Sequence, residues 1–247
     1  MSNNYKMVLQ YDGTRYDGWQ KQGNTDRTIQ GRIEAVLSKM AGADIEVHGS
    51  GRTDAGVHAS GQVANFRLEE ETEPEQIKSY LNSYLPEDIA VLSVEPAEER
   101  FHSRLNAKRK VYSYYVETAP KKDVFSRKYV YGLGAGLDLK AMKEAAGALC
   151  GTHDFKSFCS NKKMKKTTVR TLYSISIRQK GSVLELSYTG DGFLYNMVRI
   201  LTGTLIEVGL GKRPADSITG ILEAKDRAAA GFTAPPEGLF LTKVEYE

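Results

Sequence analysis

The order of hydrophobic patterns along the first hundred residues limits this chain to a small number of folds. Alternation of apolar and polar residues indicates strands, and apolar residues at helical spacing indicate helices. The predicted elements are strand 5–12, helix 28–40, strand 44–49, strand 62–68, helix 74–85 and strand 89–96. This β-α-β-β-α-β order is that of a ferredoxin-like unit.

Local signals set the ends of the two predicted helices. Thr28 is placed to be the N-cap of the first helix, because its hydroxyl can accept a hydrogen bond from a first-turn N–H group. Thr72 and Glu75 have the spacing of a capping box for the second helix. Pro86 follows that helix and is expected to stop it.

The rest of the chain repeats the order with additional elements. They are strand 110–117, strand 127–133, helix 138–150 capped by Asp138, a hairpin of 171–179 and 182–190 around Lys180-Gly181, helices 196–210 and 215–229, and strand 239–246. We therefore predict an α+β protein of two ferredoxin-like halves, residues 1–105 and 106–247, with mostly antiparallel sheets and a basic cleft between the halves. The pattern leaves open whether the two sheets are continuous.

Composition excludes several classes of protein. The 247 residues are 40% hydrophobic and 26% charged, and no apolar run reaches the about 20 residues that a membrane span needs. The N-terminal residues lack the pattern of a cleavable signal. Cys150 and Cys159 are the only cysteines, and the four histidines have no ligand-like pairing. We expect a cytoplasmic protein with reduced thiols and no metal site.

Positive charge is concentrated in two segments, although the net charge is only +3. An isolated basic run is most often a solvated surface. Two such runs in a chain otherwise near charge balance favour a phosphate-rich partner. Their members are Arg104, Lys108, Arg109 and Lys110 in the first segment, and Lys162, Lys163, Lys165, Lys166 and Arg170 in the second.

The glycine-rich stretch at residues 49–62, GSGRTDAGVHASGQ, surrounds Arg52 and Asp54. It has neither the G-x-x-x-x-G-K of a P-loop nor G-x-G-x-x-G, so nucleotide-cofactor binding is disfavoured. A cation as near as Arg52 can keep Asp54 ionised, and an ionised carboxylate in a cleft can act as a nucleophile toward a sugar carbon. The alternative is a turn aspartate that bonds its own backbone.

Two aromatic residues have competing interpretations. Tyr112 follows a cationic run, an arrangement suited to unpaired bases that stack on rings while cations meet phosphates. The alternative is a core tyrosine in an edge strand. Trp19, the only tryptophan, is predicted to be a packing anchor.

Six motifs together resemble those of the bacterial tRNA pseudouridine synthase A family. The resemblance covers nearly the whole chain, and the first motif below is highly specific to that family. Residues 118–128 and 160–168 are not diagnostic. The motifs are GRTDAGVHA at 51–59, YDGTRYDGWQ at 11–20, FHSR at 101–104, KVYSY at 110–114, NMVR at 196–199 and EGLFL at 237–241.

The resemblance implies a homodimeric enzyme that converts uridine to pseudouridine at tRNA positions 38, 39 and 40 without a cofactor. It makes Asp54 the catalytic aspartate and Arg52 the residue that positions it and the RNA. It places Tyr112 against the target base, pairs Arg199 with Asp54 and puts Leu239 in the wall of the base pocket. Attack of Asp54 at C1′, addition at C6 and a glycal route all stay open.

Two other functions are compatible with parts of the sequence. A non-catalytic RNA-binding module also suits the β-α-β-β-α-β order, but no K/R-G-F/Y-G/A-F-V stretch is present. A glycosidase would need a second acidic residue at the site, where the motifs supply arginines.

Overall fold

A computed structural model of the protein describes residues 3–121, 123–161 and 163–247. The chain forms two compact units. The first runs to Lys108 and also includes Phe240–Glu247, and the second is Arg109–Leu239.

The first unit combines two helices with four strands that pair antiparallel and a fifth, from the C-terminal segment, that pairs in parallel. Its elements are β1 (Asn3–Tyr11), α1 (Ile29–Ala41), β2 (His48–Gly49), β3 (His58–Leu68), α2 (Pro74–Tyr84) and β4 (Ile89–Pro96). The strand order is β4-β1-β3, with β2 paired to the other edge of β3. Strand β10 (Leu239–Glu245) begins at the last residue of the second unit, and Phe240 and Leu241 pair in parallel with β3.

Sequence periodicity explains which faces of these elements form the core. Alternate residues of β1 are buried, as period two requires, and each helix turns its apolar stripe inward. The buried side chains include Tyr5, Met7, Leu9 and Tyr11 of β1, Ile29, Ile33 and Leu37 of α1, and Ile77 and Leu81 of α2.

The second unit is also α+β. Its elements are β5 (Arg109–Glu117), β6 (Tyr131–Gly132), α3 (Leu139–Leu149), β7 (Gly151–Asp154), β8 (Val169–Lys180), β9 (Val183–Gly190), α4 (Met197–Gly209) and α5 (Ser217–Ala224). The sheet order is β5-β9-β8-β7, all antiparallel, and β6 pairs in parallel with β5. The predicted α+β class with mostly antiparallel sheets is confirmed.

Helix α4 is the most deeply buried helix of the second unit. Eleven of its 13 residues are buried, and the Tyr188 hydroxyl of β9 lies 2.8 Å from the Thr202 hydroxyl of α4. Within residues 3–121, 123–161 and 163–247, no helix combines the length and apolar character needed to cross a membrane.

Two of the three predicted helix caps are confirmed, and one is wrong. The Thr28 hydroxyl accepts from the Gly31 N–H group at 3.2 Å, and Asp138 Oδ1 accepts from the Lys140 N–H group at 2.9 Å. The capping box is absent: α2 has Glu73 as its N-cap with no side-chain cap bond. Pro74 occupies the start of the helix, and its fixed φ favours that start without a capping side chain.

Three predicted elements are shorter in the structure by several residues. Strand 44–49 is reduced to His48–Gly49, and strand 127–133 to Tyr131–Gly132. A turn precedes β6. In this turn Asp123 Oδ1 accepts a hydrogen bond from the Phe125 N–H group at 3.0 Å. Helix 215–229 ends at Ala224, because Lys225 adopts a left-handed conformation with φ 49°.

Candidate functional site

Asp54 lies in the loop that joins β2 to β3 in the first unit. The backbone on both sides of it is held by hydrogen bonds. The Trp19 N–H group donates to the Thr53 carbonyl at 3.0 Å, the Gly56 N–H group donates to the Tyr16 carbonyl at 3.3 Å, and the Val57 N–H group donates to the Asp54 carbonyl at 3.1 Å. The half-buried Asp54 side chain therefore projects from a backbone whose position is fixed.

Glycines allow the segment at residues 11–20 to approach this loop. A Cβ atom on Gly18 would lie 2.6 Å from the Thr53 carbonyl oxygen, and one on Gly13 would lie 2.0 Å from the Val57 carbonyl oxygen. Gly18 also has φ +102°, a conformation that L side chains rarely adopt. The YDGTRYDGWQ segment and the GRTDAGVHA loop thus form one packed structure.

Buried polar side chains of β1 and β3 form hydrogen bonds to the loop. The Tyr11 hydroxyl lies 2.8 Å from the Thr53 hydroxyl, and Gln62 Nε2 donates to the Gly51 carbonyl at 2.9 Å. Burial raises the pKa of Tyr11, so its hydroxyl stays protonated as a hydrogen-bonding group. Trp19 is 2% exposed and its ring lies against Gly49, which confirms its predicted packing role.

His58 is part of the same packing rather than of an exposed surface. Its imidazole is buried, its Nδ1 accepts from the Gly13 N–H group at 3.1 Å, and its ring stacks on Phe240 at 4.6 Å. Asp12 Oδ1 also lies 3.2 Å from His58 Nδ1, so the buried imidazole is held by several contacts within the first unit.

Arg52 is exposed, two residues before Asp54 on the same loop. Its Nε donates to Gln20 Oε1 at 2.9 Å. Gln20 in turn contacts Gln30 of α1. The loop therefore presents a carboxylate and a guanidinium together, and the guanidinium is oriented by a side chain from the YDGTRYDGWQ segment.

Tyr112 lies in β5 of the second unit, opposite Tyr188 of β9. It is 7% exposed. Its ring meets the edge of Phe193, with centroids 5.0 Å apart and planes at 78°. Tyr112 is thus a nearly buried residue of the second unit, and its ring packs against Phe193.

Arg199 lies in the first turn of α4 and is held at two nitrogens. Nε donates to the Ala234 carbonyl at 2.7 Å, and Nη1 donates to Asn196 Oδ1 at 3.1 Å. The Ala234 N–H group donates back to the Arg199 carbonyl at 3.1 Å. Asn196 has φ 60°, a left-handed conformation that asparagine tolerates better than most residues.

Leu239 begins β10 and is 5% exposed. The segment that precedes it is fixed by Tyr114, whose hydroxyl donates to the Pro235 carbonyl at 2.7 Å. A Cβ atom on Gly238 would lie 2.7 Å from the Tyr114 ring, so only glycine permits this approach. Burial raises the pKa of Tyr114, so its hydroxyl stays protonated and can keep this hydrogen bond to the segment before the EGLFL motif.

The predicted basic residues are distributed over both units. Arg104 and Lys108 are exposed in the first, and Arg109 and the half-buried Lys110 begin β5 in the second. The Arg109 guanidinium lies over the Tyr173 ring at 5.0 Å. Lys163, Lys165 and Lys166 are exposed, Arg170 is half-buried, and Lys162 lies outside the described residues.

The structure therefore brings Arg52 and Asp54 into one loop of the first unit, whereas Tyr112, Arg199 and Leu239 belong to the second. In the part of the chain that the structure describes, no group of three or more His, Cys, Asp or Glu side chains is placed to hold a metal ion. Sequence reasoning missed Gln20 and its partners on α1. Their only signal was that Gln30 and Glu34 interrupt the otherwise apolar buried face of that helix.

Comparison with known proteins identifies the class of this chain. The sequence profile of the tRNA pseudouridine synthase family matches residues 7–106 and 145–247. A protein named tRNA pseudouridine synthase A from Bacillus sp. (strain KSM-64) is 50% identical over 244 residues, with 99% of this chain and 100% of that protein covered. One of the same name from Geobacillus sp. (strain WCH70) is 49% identical, with both chains fully covered. Another, named tRNA pseudouridine synthase A 2, from Bacillus anthracis, is 47% identical over 244 residues, with 99% of this chain and 100% of that protein covered.

The chain belongs to the tRNA pseudouridine synthase family. This membership confirms the prediction of an isomerase that acts on tRNA.

Proposed function

We propose that this enzyme converts uridine to pseudouridine at positions 38, 39 and 40 of the tRNA anticodon stem-loop, with Asp54 as the nucleophile. The observation that carries the proposal is the Asp54 loop. Its carboxylate projects from a backbone held by Trp19 and Tyr16, and an exposed arginine lies two residues away.

The reaction suits a site of this composition. The bond from C1′ to N1 breaks, the freed uracil turns, and a bond from C1′ to C5 forms. The C5 hydrogen leaves as a proton and N1 gains one, so the atoms balance without a redox partner or energy source. The target base must first leave the stack, at a cost of a few kcal/mol.

Each further residue has a separate part in the proposal. Arg52 contacts the RNA beside Asp54, Tyr112 packs against the target base, Arg199 supplies a second cation, and Leu239 lines the base pocket. Arg104, Lys108, Arg109 and Lys110 contact the RNA backbone. The homodimer and the cytoplasmic location implied by the resemblance stay predictions.

Asp54→Asn tests the assignment directly. Loss of a nucleophile should lower turnover roughly 10⁴-fold or more, while tRNA affinity stays within a few-fold because a carboxylate adds nothing to phosphate binding. The measurement is tritium release from tRNA labelled at C5 of uridine, beside a binding isotherm. Asp44→Asn is the matched control, since Asp44 is an exposed aspartate of the same unit. Robust turnover by Asp54→Asn would remove Asp54 from the chemistry.

The positions are tested with three tRNAs that each carry a uridine at only one of positions 38, 39 and 40. We expect tritium release from all three. If tritium is released from none of the three tRNAs but is released from a tRNA with uridine at another position, the anticodon assignment is refuted. Family membership would be unaffected.

A further inference from the structure

We propose that Gln20 is a positioning residue, which fixes the Arg52 guanidinium toward a phosphate of the bound tRNA and is itself oriented by Gln30 and Glu34. This inference rests on the proposed function, in which Arg52 contacts the RNA. It concerns a network within the first unit, and all of its contacts are hydrogen bonds between described side chains and backbone groups.

Glu34 sets the order of donors and acceptors in the network. It is a buried residue of α1 that is 5% exposed. Its Oε1 accepts from Gln30 Nε2 at 2.8 Å and from the Val47 N–H group at 3.1 Å, and Lys21 Nζ lies 3.0 Å from its Oε2. The Val47 carbonyl also accepts from Gln30 Nε2 at 3.1 Å. A carboxylate and a carbonyl can only accept, so the Gln30 amide nitrogen must face them.

The orientation of Gln30 then dictates that of Gln20. With its nitrogen facing Glu34, Gln30 turns its Oε1 away, where it accepts from the Lys21 N–H group at 2.8 Å and from Gln20 Nε2 at 2.7 Å. Gln20 therefore presents its own Oε1 to Arg52 Nε at 2.9 Å. The order of donors and acceptors fixes both amide orientations.

The contact at Nε leaves a defined part of Arg52 for a ligand. Among the described residues, no hydrogen bond or ion pair involves the two terminal nitrogens of Arg52. Two terminal N–H groups of a fixed, planar guanidinium match two oxygens of a phosphate. Because Gln20 is neutral, it orients the guanidinium without offsetting the positive charge that attracts the phosphate.

A purely structural role is the alternative, since Gln30 and Glu34 are buried and bridge α1 to the chain before β2. Removal of either could unfold the unit. The test therefore uses Gln20, which is half-buried, and a double-mutant cycle with Arg52. A structural effect would not depend on which residue occupies position 52.

The cycle compares Gln20→Met, Arg52→Ala and the double variant by kcat and KM on tRNA. Gln20→Met keeps the size of the side chain and removes its hydrogen-bonding atoms. We expect kcat/KM to fall about tenfold with Arg52 present, the effect of losing one hydrogen bond to a charged group, and less than about twofold in the Arg52→Ala background. The loss should lie in KM, since a phosphate contact is equal in ground and transition states.

Gln22→Met is the matched control, because Gln22 is an exposed glutamine of the same segment whose Nε2 donates to the Asp17 carbonyl at 3.3 Å. Its kinetics should match the wild type, and all variants should melt within a few degrees of it. Equal losses from Gln20→Met in both backgrounds, or no loss while Arg52→Ala is severe, would overturn the proposal. A harmless Arg52→Ala would also overturn it, yet the Asp54→Asn result would still decide the proposed function separately.

Discussion

The two units present their candidate functional side chains in different ways. In the first, Asp54 and Arg52 project from a loop whose backbone is bonded to Trp19 and Tyr16. In the second, Tyr112 lies in a strand and Arg199 in the first turn of a helix. A loop lets the backbone come close to a ligand, whereas regular elements fix side chains through core packing.

This difference determines whether a substitution can change function without changing stability. The hydrogen bonds that hold the Asp54 loop are made largely by its backbone, so they survive a change of side chain. Tyr112 contributes a packed ring against Phe193, and the Arg199 side chain bonds the Ala234 carbonyl. In the second unit, a substitution therefore perturbs structure and chemistry together.

The two arginines show the same contrast at a single residue type. The half-buried Arg199 is held at Nε and Nη1, by a backbone carbonyl and by Asn196. The exposed Arg52 is held at Nε, by Gln20. Arg199 is thus built into the fold, whereas Arg52 is oriented by a side chain and can be altered without cost to the core.

Tyr112 gives the largest effect that can test this contrast, because ring and hydroxyl can be removed separately. Tyr112→Phe keeps the contact with Phe193 and removes the hydroxyl, while Tyr112→Leu removes both. If the hydroxyl moves a proton, both variants should lose about 10² to 10⁴ in rate. We expect this outcome, with Tyr112→Phe still binding tRNA normally. Single-turnover rates and binding isotherms distinguish the steps.

If Tyr112 only packs the base, Tyr112→Phe should turn over nearly normally and Tyr112→Leu poorly, with a loss of about 1 to 3 kcal/mol for a stacked base. Full activity in both would remove Tyr112 from the site. Tyr114 is a poor substitute in that case, because its buried hydroxyl already donates to the Pro235 carbonyl.

Replacing each arginine with lysine should have smaller effects than the Tyr112 variants. The change at Arg199 should lower stability, and the change at Arg52 should lower activity. Arg199→Lys loses the fork that reaches Ala234 and Asn196, so we expect unfolding free energy to fall by about 1 to 2 kcal/mol. Arg52→Lys should leave stability within about 0.5 kcal/mol, as for exposed positions, while kcat/KM falls. Urea unfolding and kinetics on the same preparations measure both. Equal destabilisation by the two changes would contradict the contrast.

Much of the fold could be predicted because it depends on local patterns. Hydrophobic periodicity located β1, β5 and α4, and the Thr28 and Asp138 caps were read from neighbouring residues. The capping box at Thr72 failed because Pro74 starts α2 without it. Strand 127–133 was only partly right: Tyr131–Gly132 pair with β5, whereas the residues before them lie in a turn in which the Tyr129 N–H group donates to the Ser126 carbonyl.

The candidate site was predictable only where its motifs are contiguous. The glycine-rich stretch and its family resemblance singled out Arg52 and Asp54 from the sequence. The link from Arg52 to Gln20 joins residues 32 positions apart, and such a contact is decided by tertiary packing. The left-handed Asn196 that bonds Arg199 was missed for a related reason, since a single asparagine before a helix gives no such signal.

The smallest expected effect concerns a third kind of region, the basic segment at residues 161–170. Lys165 and Lys166 are exposed there. If they contact the RNA backbone, replacing both with alanine should flatten the slope of log K against log salt by roughly 0.7 to 0.9 for each phosphate contact removed. The matched control is Lys140→Ala with Lys143→Ala, two exposed lysines of α3 in the same unit. Both pairs lower the net charge equally, so an equal change in slope would show only a general charge effect. A flatter slope for the first pair alone would show that Lys165 and Lys166 contact the RNA backbone, as the concentration of positive charge in this segment predicts.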